Sequence, residues 1–135
     1  MSELGPHKVL REKGLKATPQ RVLIMETMKK HGHINIDDLY EEVCKILPSI
    51  SLATVYKNLN NLVEAGVAQI LMLENRKSLY EVNYNSHIHF VCNDCGSVED
   101  IHVDRNRVLT FFANESRKKL TAFRAITFGQ CRACN

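Results

Sequence analysis

No apolar run of about 18 residues, the length a membrane-spanning helix needs, occurs in the 135-residue chain. Met1–Arg11 also lacks the apolar centre of a signal peptide. No glycine-rich loop suited to phosphate, no activated nucleophile and no obvious pocket lining is legible, which leaves a metal-dependent enzyme without a substrate site. Charge of one sign is scarce too: the formal net charge is +3 at pH 7, enough to permit nucleic-acid binding and too little to establish it.

What the chain does have is five cysteines, four of them in two CxxC pairs, Cys92-Asn-Asp-Cys95 and Cys131-Arg-Ala-Cys134. Each pair spans one edge of a tetrahedron, and two pairs complete the four-thiolate shell that structural zinc takes. Disulfides or buried thiols are the plainer alternative, but a CxxC disulfide is a redox device more often than a structural clasp. The pairs stand 35 residues apart, well beyond the roughly 15–20 of a common zinc ribbon. Zinc here would tie the last residues back to a distant strand. The fifth cysteine, Cys44, fits a reducing compartment, since a secreted chain would normally pair it. The expectation is a cytoplasmic protein without membrane association.

Residues 1–66 read as four helices. Pro6 suits the first turn of a helix that Gly14 stops, and Thr18-Pro19 supplies an N-cap and a proline at the first helical position of the next. Asn35 caps a third, whose Ile36, Leu39, Tyr40, Val43 and Leu47 form one apolar stripe. Ser51 caps a fourth, with Val55, Leu59, Leu62 and Val63 inward and Gly66 just past its end. Its outer face carries Thr54, Tyr56, Lys57, Asn60 and Asn61, small polar groups, a ring and a cation that suit base edges and phosphates. Residues 67–73 and 77–82 then read as strands joined across 74–76, the hairpin of a winged helix. Basic residues gather near turns and helix starts: Lys13, Lys16, Arg21, Lys29, Lys30 and Lys57.

Residues 83–86 are a polar break. Beyond it the pattern is strand (87–91), strand (97–103), amphipathic helix (105–119) with Val108, Leu109, Phe111 and Phe112, and strand (122–128). Fewer than about 50 residues bury too little apolar surface to stand alone, so this part needs a metal, a partner or both. A homodimer through sheet edges and the Phe111/Phe112 helix would answer the second need. The fold class expected is α+β: a winged helix-turn-helix domain over 1–83, a hinge at 84–86, and a small α/β dimerisation domain over 87–135.

A second constellation sits beside the cysteines. Strand parity puts His87 and His89 on one face and Cys92 on the other, so two sites can share a strand. Glu81, Asp100 and His33 are candidates to join them in a mixed nitrogen and oxygen shell suited to Fe²⁺ or Mn²⁺. A pair of surface histidines remains the alternative on spacing alone.

Ala17-Thr18-Pro19-Gln20-Arg21, Ser51-Leu52-Ala53-Thr54-Val55-Tyr56-Lys57-Asn58-Leu59, His87-Ile88-His89-Phe90-Val91-Cys92-Asn93-Asp94-Cys95-Gly96 and the Cys131/Cys134 pair occur in this order over nearly the whole chain. Together they resemble the ferric uptake regulator family of bacterial repressors. The resemblance implies structural zinc on Cys92, Cys95, Cys131 and Cys134, and regulatory Fe²⁺ or Mn²⁺ on His33, Glu81, His87, His89 and Asp100. It implies a homodimer that the regulatory metal clamps into the geometry fitting double-stranded operator DNA. It places DNA contacts at Lys16, Tyr56 and Lys57, to which the outer face of the fourth helix adds Thr54.

Within the family, aspartate at position 100 resembles the peroxide-responsive repressors. Arg107 and Phe123 stand where iron sensors often carry the glutamate and histidine of an additional site. Glu81 resembles the iron sensors instead. The function this implies is a metal-dependent transcriptional repressor, not an enzyme, that senses hydrogen peroxide through iron-catalysed oxidation of His33 or His87. The alternatives are an iron-, manganese- or zinc-sensing repressor of the same family and, outside it, a metal-dependent enzyme or a zinc-stabilised interaction module.

Overall fold

A computed structural model describes residues 5–82 and 87–135, with the backbone alone at His87. The chain divides into two compact units, Met1–Tyr84 and Asn85–Asn135. The expected hinge, 84–86, lies outside the described residues.

In the first unit α1 spans Pro6–Glu12, α2 Pro19–His31, α3 Ile36–Ile46 and α4 Leu52–Glu64. Each of the last three begins where a side chain satisfies an amide that the first turn leaves unpaired. The Thr18 hydroxyl accepts from the Arg21 N–H, Asn35 Oδ1 from Asp38 N–H, and the Ser51 hydroxyl from Thr54 N–H. α2 is the central helix, because α1, α3 and α4 all pack on it and bury Val22, Ile24, Met25 and Met28. α3 buries Leu39 and Val43, and α4 buries Val55, Leu59 and Leu62. Fully burying such a side chain contributes about 1.5–3 kcal/mol, so this stripe, rather than the polar outer face, fixes where α4 sits.

The hairpin is shorter than its sequence pattern. β1 is Gln69–Leu71 and β2 Leu79–Glu81, paired antiparallel with Ile70 opposite Tyr80. Val67 and Ala68 are spent on ending α4: Gly66 takes φ 78°, its N–H reaches the Val63 carbonyl, and the Val67 and Ala68 N–H groups reach that of Leu62. Their side chains join the helical core instead of the sheet. At the far end Lys77 leaves the ladder to pair with Asp37 on α3.

In the second unit β3 spans His87–Cys92, β4 Val98–His102, α5 Arg105–Ser116 and β5 Ile126–Gly129. The sheet order is β4-β3-β5, with β4 antiparallel to β3 and β5 parallel to it after the α5 crossover. β5 begins later than the apolar pattern suggests: Ile126 pairs with His89, so residues 122 and 123 would fall beyond the start of β3. α5, capped by the Asp104 carboxylate, has no buried residue, and Phe111 and Phe112 are 58% and 53% exposed. An open apolar cleft of about 710 Å³ is lined from α5, β3 and β5 by Ile88, Val108, Leu109, Phe112 and Thr127, among others. No described helix is long and apolar enough to cross a membrane.

Candidate metal centres and nucleic-acid interface

The four CxxC cysteines converge. Cys92 ends β3, and a turn over residues 93–95, closed by the Gly96 N–H on the Cys92 carbonyl at 3.0 Å, brings Cys95 back beside it, with Gly96 at a φ of 74° that suits glycine. The end of β5 delivers the second pair, because the Asn93 N–H bonds the Gly129 carbonyl and Gln130 Nε2 donates to the Asp94 carboxylate at 3.0 Å. All four cysteines are unbridged, and their Sγ atoms lie within 4.8 Å of one another. Cys95 Sγ and Cys131 Sγ are 3.8 Å apart, the edge of a tetrahedron built on metal–sulfur bonds of about 2.3 Å. Both donor set and spacing therefore fit zinc.

The sulfurs differ in proton affinity. The N–H groups of Cys95 and then Cys131 point at Cys92 Sγ and bring its pKa down to about 6. Cys95 is lowered chiefly by the Ser97 hydroxyl. Cys134, hydrogen-bonded as a thiol to Cys131, Cys92 and Cys95, is pushed up to about 12. Crowded sulfurs cannot all ionise without a cation among them.

Each unit also holds a histidine–carboxylate pair with a buried member, apart from the more exposed His31–Glu42 pair of the first unit at 3.9 Å. In the first, a single β-bridge joins Ile34 to Tyr80 through hydrogen bonds of 3.0 and 2.8 Å, and this sets His33 beside Glu81. His33 Nε2 lies 2.9 Å from Glu81 Oε2. Glu81 is 2% exposed, and a carboxylate so buried needs a cation or donors around it. In the second, His89 faces Asp100 directly across the β3–β4 ladder, with His89 Nε2 3.9 Å from Asp100 Oδ1. His89 is buried, and the Thr127 hydroxyl donates to its carbonyl. His87 stands two residues before His89 on β3, opposite the exposed His102, and its side chain lies outside the described residues. Imidazole with carboxylate is the donor chemistry of Fe²⁺ and Mn²⁺ sites, though Zn²⁺ accepts it too.

On α4, Tyr56 is 48% exposed, and Lys57 and Asn60 are exposed beside it. Lys16 is exposed between α1 and α2. Thr54 is engaged locally: its hydroxyl shares a 2.9 Å hydrogen bond with the Ser51 hydroxyl at the cap. Two residues carry structure that sequence reasoning passed over. Asn58 is buried on the inner face of α4, and its Oδ1 accepts from Arg21 Nε at 3.2 Å while its Nδ2 donates to the Thr54 carbonyl at 3.0 Å. Arg21 Nη1 also donates to the Lys16 carbonyl at 3.1 Å. The available signal was an asparagine three residues after Val55, on the buried stripe.

The model of the ferric uptake regulator family matches residues 12–122. The peroxide-responsive repressor PerR of Staphylococcus epidermidis is 30% identical over 127 residues, 93% of this chain and 85% of that protein. Among solved structures, the Campylobacter jejuni peroxide stress regulator is 36% identical with a TM-score of 0.78, covering 98% of this chain and all of that one. The Vibrio cholerae ferric uptake regulator is 31% identical with a TM-score of 0.71, covering 93% and 98%. With its motifs in family order and a family match across most of its length, the chain belongs to the ferric uptake regulator family.

Proposed function

We propose that this protein is a metal-dependent transcriptional repressor that binds operator DNA as a homodimer in the cytoplasm and is switched off by hydrogen peroxide. The observation that carries the peroxide reading is Asp100, an aspartate set opposite His89 on β4, and the similarity to peroxide-responsive proteins of two genera supports it. Glu81 favours the second reading, an iron-sensing repressor of the same family, as does the likeness to the Vibrio cholerae ferric uptake regulator.

In this reading residues 1–83 bind DNA, 87–135 dimerise, and zinc on Cys92, Cys95, Cys131 and Cys134 holds the second unit together. His33 and Glu81 from the first unit share one Fe²⁺ or Mn²⁺ with His87, His89 and Asp100 from the second. Residues split between units bind such an ion tightly only in the arrangement that brings them together, and that difference in affinity shifts the population toward it. Bound there, ferrous iron would promote cleavage of the peroxide O–O bond, so that one oxygen ends on the His33 or His87 imidazole, which is the group oxidised, and the other leaves as water; Mn²⁺ would supply the same charge without that reactivity. The outcome is self-modification, so no turnover is assigned. Exposed Phe111, Phe112 and Phe128 and the apolar cleft support self-association, since faces of that kind are seldom left to solvent.

The DNA reading is tested at α4. Tyr56→Ala is expected to weaken operator recognition by about 1–3 kcal/mol if the ring meets a base. Lys57→Ala and Lys16→Ala should each lower the salt dependence of binding by about one unit of slope. Fluorescence anisotropy of the Mn²⁺-loaded protein across a salt series measures both. Three variants with unaltered affinity and slope would show that α4 is not the reading helix.

A further inference from the structure

We propose that Arg21 is a positioning residue for DNA binding: its guanidinium clamps the segment carrying Lys16 to α4, so that the Lys16 and Tyr56/Lys57 contacts form as one unit. This rests on the DNA-binding reading above and goes beyond it, because Arg21 and Asn58 have no part in that contact set.

Two donors of one rigid plane reach two separate elements. Arg21 Nε bonds Asn58 Oδ1 on α4, and Nη1 bonds the Lys16 carbonyl. Asn58 is buried and its amide is engaged at both ends, since Nδ2 holds the Thr54 carbonyl one turn earlier. The amide therefore has no second orientation that keeps both bonds. Leu15 and Ala17 pack against the helical core on either side of Lys16, leaving the Lys16 side chain exposed while its backbone is held. A lysine at position 21 would keep the charge and lose the fork, for an ammonium on a flexible stem has no fixed plane.

The test uses the full-length protein loaded with Mn²⁺ and a duplex that the unaltered protein has enriched from a random-sequence pool. Anisotropy titrations across a salt series compare Lys16→Ala, Arg21→Lys and the double variant. Arg21→Lys should weaken binding about tenfold, within the range for residues of one hydrogen-bonded network. It should also lower the salt slope by about one, as though a charge had been removed although none was. Adding Lys16→Ala should then cost little more. An Arg21 that simply touched a phosphate would keep its slope when changed to lysine, and losses that add independently would equally overturn the clamp. Asn58→Ala breaks the same clamp from α4 and should repeat the pattern; unaltered affinity in that variant also overturns it. If the unaltered protein enriches no duplex, the DNA-binding reading falls and the clamp with it, whereas additive losses on an intact binder remove the clamp alone.

Discussion

Cys131→Ser is expected to unfold the second unit and leave a monomer. Among the described residues of that unit only Val91, Cys92 and His89 are buried, and α5 buries nothing. Structural zinc in small sites contributes an apparent free energy of about 10–16 kcal/mol at neutral pH, which so small a core cannot replace. Zinc content, circular dichroism and light scattering on the purified variant measure the effect. A zinc-free dimer of normal stability would contradict it.

The same centre sets a pH dependence. Metal ligation needs thiolates, so acid competes with zinc and occupancy falls as pH falls. Cys92, with its pKa near 6, is a thiolate at neutral pH, whereas Cys134, near 12, stays protonated until a cation displaces its proton. Zinc uptake at pH 7 should therefore release protons, that of Cys134 among them. An indicator dye in weakly buffered solution counts them, and uptake without proton release would contradict the assignment.

The second large effect is expected at Glu81. Glu81→Gln keeps the shape and one acceptor oxygen of a side chain that is 2% exposed beside His33, but it removes the charge that attracts a cation. Even partners that only orient metal ligands cost 10–100-fold in affinity when changed, roughly the least to expect of a ligand itself. Mn²⁺ affinity and Mn²⁺-dependent DNA binding should fall by at least about tenfold, while zinc content and dimerisation hold. Calorimetric titration beside zinc analysis separates the two centres, and a variant that activates DNA binding at the original Mn²⁺ concentration removes Glu81 from the regulatory site.

Much of this architecture was legible because its signals are local. Thr18, Asn35 and Ser51 cap helices by bonds spanning three residues, and the stripes on α3 and α4 follow from helical period alone. Each CxxC pair closes within one turn. Strand parity was enough to separate His89 from Cys92. What was not legible depends on partners distant in sequence. The amides of Val67 and Ala68 serve the end of α4, so β1 starts later than its apolar pattern. β5 is trimmed by its register against β3. Arg21 looked like one of several surface cations and is instead committed to Asn58, 37 residues away. The hydrogen bond that the Thr54 hydroxyl shares with the Ser51 cap was likewise not read from the pattern of the outer face.

In the function proposed, peroxide acts through the histidine–carboxylate ligands rather than through the zinc thiolates, which are also open to oxidation. The direct measurement is mass spectrometry of tryptic peptides from protein loaded with Fe²⁺ or with Mn²⁺ and given a low dose of peroxide, with DNA binding followed on the same samples. One added oxygen on His33 or His87 and lost DNA binding are expected in the Fe²⁺ form, and neither in the Mn²⁺ form. Intact histidines in an iron-loaded protein that has lost DNA binding would contradict it.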